Sequence, residues 1–144
     1  FNEAFATAVE EEGVRRWLLN AGREDEFAAW QLLGERVQAF ELLLGRTRAR
    51  LQEAYSSGMG EGEMRAAKAE AFAQLEREYQ ALRESWDGWP GYDRWFEAPL
   101  NNARLIPSAT YRQFVPAFRE LLRRAGGDLE AFYAAAERLA GLSQ

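Results

Sequence analysis

The sequence predicts an all-α fold: a helical bundle of about five helices with a long antiparallel helix hairpin and one long aromatic-rich loop. Three observations predict it. Apolar residues recur at steps of three and four through most of the chain, Gly-bearing breaks divide the periodic runs, and no run alternates apolar with polar residues as a half-buried strand does. At 144 residues, 47% apolar and 28% charged, the chain lies in the globular range and is long enough for one compact unit with its own core.

The first helix is predicted from about Asn2 to Asn20, with Asn2 as its N-cap and Ala21-Gly22 as its stop. Glu11 with Arg15, and Glu12 with Arg16, stand in the favourable i,i+4 order, a signal of helix rather than of function. The apolar side is read at Phe5, Val9 and Trp17. The second helix, from about Asp25 to Tyr55, carries a coiled-coil-like seam at Phe27, Trp30, Leu33, Val37, Phe40, Leu44, Thr47 and Leu51. Ser56-Ser57-Gly58 with Gly60 and Gly62 breaks it. Met64, Ala67, Ala71, Leu75, Tyr79, Leu82 and Trp86 then restore the rhythm, so the two long helices are expected to fold back on each other. From Trp86 to Pro107 the period is lost among Gly, Pro, Asp and aromatic residues, which reads as a long ordered loop with room for one helical turn. Thr110 and Gln113 offer a capping box for a fourth helix, kinked or restarted at Pro116, with Val115, Phe118, Leu121 and Leu122 as its apolar face. Gly126-Gly127 ends that helix, Asp128 caps a fifth, and Leu129, Phe132, Ala136 and Leu139 form the last buried stripe.

Composition narrows the chemistry. A net charge of −5 without a basic stripe argues against a nucleic-acid partner, because phosphate neutralisation needs clustered Lys and Arg. No apolar run reaches the ~18 residues that a membrane-spanning helix needs. The chain has no Cys, so disulfides and thiolate metal sites are excluded within it. It has no His either, which removes Ser-His and Cys-His nucleophile pairs, imidazole bases and any metal site built on its own histidines. Carboxylate, Tyr and Lys chemistry remain. A start at Phe1, directly in a helical pattern, is expected of a piece of a longer protein.

Glu3, Thr7, Glu10 and Val14 are spaced by four, three and four, so they share one face of the first helix. Glu3 reads either as a first-turn carboxylate favoured by the helix dipole or as a ligand. Asn101 and Asn102, in the irregular segment, and Tyr111 after it are the candidate donors to a substrate backbone or a developing oxyanion. Their alternative role is to satisfy the loop itself. Trp86, Trp89, Tyr92, Trp95 and Phe96 either wall a side-chain pocket or cap the helical core. Gly58 to Gly62 is a turn and not a phosphate loop, since no strand precedes it and no Lys-Ser or Lys-Thr follows.

The segment from Asn2 to Ala6 resembles the second zinc-binding segment of the gluzincin metallopeptidases, in which a His-Glu-x-x-His helix gives two ligands and a downstream Glu the third. More specifically, the strings FNEAFATAVEEEGVRRWL, YDRWFEAPLNNARL, TYRQFVPAF and GGDLEAFY resemble, in order and over most of the chain, successive blocks of a bacterial family of predicted zinc aminopeptidases. The resemblance implies that the chain is the C-terminal helical domain, residues 1–144, of a larger zinc metallopeptidase whose His-Glu-x-x-His helix lies upstream. It implies that Glu3 is the third ligand of a His₂Glu zinc site, that Thr7 occupies the place of an outer-shell partner of a ligating His, and that Glu10 is an alternative for that place. Thr7 departs from the Asp often found there. The resemblance further implies a peptide substrate, the upstream catalytic segment as partner, no catalysis or tight zinc binding by the chain alone, and a lipoprotein of the bacterial envelope or periplasm. A reading from another class stands beside it: a noncatalytic helical module whose hairpin presents a surface to a protein partner.

Overall fold

The computed structural model describes residues 2–105 and 114–141. Among them the chain is all-helical, with α1 Asn2–Asn20, α2 Glu24–Ser56, α3 Glu61–Ser85, α4 Asp93–Phe96, a 3-10 helix Asn102–Leu105, α5 Val115–Arg124 and α6 Leu129–Gly141. The helix beyond the expected five is α4, a single turn inside the aromatic-rich stretch. The expected capping box at Thr110 and Gln113 lies outside the described residues. Two compact units form: Phe1–Ala29 with Thr110–Gln144, and Trp30–Ala109.

In the second unit, α2 and α3 make the expected antiparallel hairpin about the short connection 57–60. Its cross-links span fewer residues as the turn approaches. Arg36 Nη2 donates to the Trp86 carbonyl at 3.5 Å, while Arg46 and Arg50 donate to Glu78 at 3.2 and 2.7 Å. At the turn, Gly58 takes φ +72°, a conformation that costs glycine nothing, and Glu63 accepts the Gly60 N–H at 3.1 Å. Phe40, Leu43, Leu44 and Leu51 of α2 meet Ala71, Phe72, Leu75 and Tyr79 of α3 in one buried cluster, closed by Leu105. Each large side chain so buried contributes roughly 1.5 to 3 kcal/mol, well above any exposed ion pair. Thr47, wholly buried on the seam, gives its hydroxyl hydrogen to the Leu43 carbonyl at 3.1 Å and so carries no unmet donor into the core.

The seam is shorter and wider than the sequence rhythm suggests. Leu33 is 47% exposed, while Leu43, outside the expected stripe, is fully buried. A strict three-four step follows one line along the helix, whereas packing against both α3 and the aromatic segment buries a broader face. Trp86, Tyr92, Trp95, Phe96 and Leu100 pack against this cluster, so these aromatic residues cap the core.

α3 stops at Trp86 through paired bonds from Asp87 N–H to Glu84 O at 3.2 Å and Gly88 N–H to Arg83 O at 2.9 Å. Asp87 is thereby held at φ +56°, in the left-handed region where a Cβ crowds the backbone. Replacing Asp87 by Gly should therefore stabilise the chain by about 0.5 kcal/mol, the relief being partly offset by glycine's greater freedom when unfolded. Chemical-denaturation midpoints would register this, and a fall in stability would contradict it.

In the first unit, α1 packs on α5 and α5 on α6. Ala4 and Ala8 let the backbones approach, and Val115, Phe118, Leu122, Phe132 and Ala136 complete the cluster with Phe5 and Val9 at its edge. Trp17 does not belong to the buried side; it is 60% exposed, with Arg23 over its ring at 4.5 Å. At ~100° per residue it falls about half a turn away from the Ala4–Ala8–Glu12 line. Leu139, expected in the last stripe, is 43% exposed. α1 and α5 end as the sequence suggests, with Gly22 and Gly126 both at φ +64°. Pro116 lies in the first turn of α5, where its missing N–H breaks no helical bond, and Asp128 Oδ1 caps α6 by accepting Glu130 N–H at 2.9 Å. Asn2 is itself helical rather than a cap.

Candidate functional site

Helix α1 displays the candidate ligand set. Glu3 and Glu10 are exposed, on the side turned away from Ala4 and Ala8, and Thr7 is half-buried at the flank, ~60° round the helix from Ala4. The Thr7 hydroxyl donates to the Glu3 backbone carbonyl at 2.9 Å. With its one hydrogen used, that oxygen can only accept from any further partner. Among the described residues no basic side chain pairs with the Glu3 carboxylate, and no three His, Cys, Asp or Glu side chains gather as a metal-binding group. A carboxylate in this setting fits a single ligand position, and a complete zinc set needs donors from outside this His-free and Cys-free chain. Glu10 stands seven residues beyond Glu3, ~10 Å along the axis.

The buried acid of α1 is a different residue. Glu12 is only 8% exposed. Arg15 Nε and Nη2 each donate to it at 2.7 Å, and Arg16 Nε donates at 2.6 Å. The paired hydrogen bonds from Arg15, joined by Arg16, outweigh burial and hold the Glu12 carboxyl down at about 2. Arg16 Nη2 also donates to the carbonyl of Gly127 in the α5–α6 turn. The expected Glu12–Arg16 pair thus exists, but Glu11 departs from expectation: it receives both Nε and Nη2 of Arg119 at 2.7 Å while Arg15 turns to Glu12. A local four-residue rule cannot see Arg119 or Gly127, more than a hundred positions away in sequence.

Asn101 and Asn102 lie exposed in the second unit, at the start of the 3-10 helix. The Asn102 amide is engaged with Tyr55: Nδ2 donates to the phenol oxygen at 2.9 Å, and the phenol lies 3.2 Å from Oδ1. Tyr111 lies outside the described residues.

One further group of this unit was not foreseen. The Tyr79 hydroxyl donates to Asp93 Oδ1 at 2.5 Å, and Arg83 Nε donates to Asp93 Oδ2 at 3.2 Å. Burial first, then the Asp93 carboxylate, push the Tyr79 phenol up to about 12, so it stays protonated and acts as a donor. With Phe96 stacked on Tyr79 at 4.3 Å and Tyr92 on Phe40 at 3.8 Å, this bond fastens α4 to the hairpin. Arg104 braces the same stretch, donating to the Ala98 carbonyl at 2.8 Å with its guanidinium over Trp95. No sequence signal links Tyr79 to Asp93, since their spacing matches no helical neighbour rule.

Neither a curated protein nor a solved structure matches the chain. A family model does, over residues 1–144. The chain accordingly belongs to the family described as "Putative aminopeptidase".

Proposed function

We propose that this chain is the helical part of a zinc-dependent aminopeptidase in which Glu3 provides the third protein ligand beside two histidines from an upstream His-Glu-x-x-His segment. The observation that carries this reading is the setting of Glu3: an exposed carboxylate near the front of a helix anchored by its opposite face, unpaired with any basic side chain among the described residues. Membership of an aminopeptidase-like family supports it. A zinc ion held by such a His₂Glu set supplies Lewis acidity toward the scissile carbonyl. Glu3 would hold its place in that set, and Thr7, whose hydroxyl hydrogen is already committed, would accept the outer N–H of a ligating imidazole. Glu10, two turns on, is the alternative acceptor. Asn101 and Asn102 are the proposed donors to a peptide backbone, a role that for Asn102 requires release of Tyr55, and Tyr111 is the proposed donor to the developing oxyanion. In this reading the whole protein works in the bacterial envelope, the chain alone neither hydrolyses peptides nor binds zinc tightly, and nucleic acid is not a partner.

The test uses the full-length protein. Glu3→Ala should lower zinc affinity by more than the ~10–100-fold typical of losing an outer-shell partner, and peptidase activity should fall with it. Stoichiometric zinc and full activity in the variant would remove Glu3 from the site. An upstream reading frame without His-Glu-x-x-His would favour the noncatalytic helical module.

A further inference from the structure

We propose that Glu12 and Arg16 are positioning residues which fix the roll of α1, and through it the direction in which Glu3 points; the proposal rests on Glu3 being a metal ligand. Ala4, Ala8 and Glu12 recur every fourth residue along the buried side of α1. The first two offer only a methyl group each, which lets helices approach closely but interlocks little against rotation. Phe5 resists rotation at one end, stacked on Phe132 at 5.5 Å and edge-on to Phe118 at 5.7 Å. Further along, the Glu11–Arg119 fork at 2.7 Å holds α1 to α5, and Glu12 ties α1 to the α5–α6 turn. Its carboxylate is buried, and the Arg16 guanidinium spans from it at 2.6 Å to the Gly127 carbonyl.

The geometry of the span is specific. One planar guanidinium gives Nε to α1 and Nη2 to the α5–α6 turn, two donors in fixed directions that an ammonium cannot reproduce. The receiving carbonyl belongs to Gly127 at φ +77°, immediately after Gly126 at φ +64°, in a turn closed by Gly127 N–H to Leu122 O at 3.1 Å. The acceptor is therefore fixed in direction as well. A side-chain tip lies ~5–6 Å from a helix axis, so a roll of about 10° displaces the Glu3 carboxylate by about 1 Å. That is several times the tolerance of a metal–carboxylate bond.

The test measures zinc affinity by chelator competition, and amide exchange across residues 3–12, in the full-length zinc-loaded protein. Glu12→Gln and Arg16→Lys should each weaken zinc about 10- to 100-fold and speed exchange in α1. Arg16→Lys keeps the charge and loses the fork. Leu122→Ala, a core change in the same unit, should reduce global stability yet leave zinc affinity within about twofold, which separates positioning from stability. Unchanged zinc affinity in Glu12→Gln and Arg16→Lys, with zinc lost in Glu3→Ala, would overturn the positioning role and leave the ligand assignment standing. Retention of zinc by Glu3→Ala would overturn both. An equal loss of affinity in Leu122→Ala would reduce the clamp to a contribution to stability and overturn the proposal.

Discussion

Phe132→Ala should lower the unfolding free energy by about 3–5 kcal/mol. Phe132 is wholly buried, and its ring meets Phe5 face to face at 5.5 Å and Phe118 edge-on at 6.3 Å. These partners come from α1 and α5 while Phe132 itself stands on α6, so the side chain is the common centre of the first unit. Truncation forfeits the transfer energy of the ring and opens a void that the surrounding helices cannot close. Ala4, Ala8 and Ala136 have no length to extend into it, and Phe5 and Phe118 are committed to each other at 5.7 Å. Phe132→Leu, which keeps much of the volume, should cost about 1–1.5 kcal/mol. Denaturation followed by circular dichroism gives both numbers. A loss below about 1 kcal/mol for the alanine variant would mean that Phe132 is not the centre described here. Amide exchange should accelerate in α1, α5 and α6.

The helix ends of this chain were largely legible in its sequence, because each is set by a few adjacent residues. Gly22 and Gly126 occupy left-handed positions that a Cβ would disfavour, and Asp128 caps the helix that follows it. Asp87 shows the limit of that reading: it fills the same role at the end of α3 without being glycine. Buried faces were legible where neighbouring helices cover one stripe, as at Phe40, Leu44, Thr47 and Leu51. They were not legible where packing comes from two directions, as at Leu43, or ceases, as at Leu33. Trp17, read with Phe5 and Val9 as one apolar side, is exposed because its angular position puts it opposite the alanine line. Of the candidate site, the shared face of Glu3, Thr7 and Glu10 followed from spacing alone. The bonds that organise the two units, Arg16 to Gly127 and Tyr79 to Asp93, join residues that no local rule relates.

Glu12 should also give the chain a distinct acid sensitivity. Its carboxyl sits at about 2 in the folded state against an ordinary value of 4.5, so the folded form holds the ionised group more tightly than the unfolded form does. The stabilisation is complete above pH 4.5 and is lost as pH falls from there toward about 2. The full shift would correspond to about 3 kcal/mol, but Arg15 and Arg16 are 44% and 39% exposed, and solvent screening reduces the expected contribution to about 2 kcal/mol. Glu120 is also held at about 2, by Arg123 and Arg124, so the acid response of the native protein alone does not isolate Glu12. The comparison with Glu12→Gln does, because Glu120 is common to both proteins and cancels. Above pH 5 the variant should unfold about 2 kcal/mol more easily. Between pH 4.5 and 2 the two stabilities should converge, since protonation makes native Glu12 a neutral group of nearly the same shape. Urea titrations across this range measure the difference directly, and a gap that stays constant from pH 7 to pH 2.5 would show that the carboxylate's charge is not what holds α1 to the α5–α6 turn.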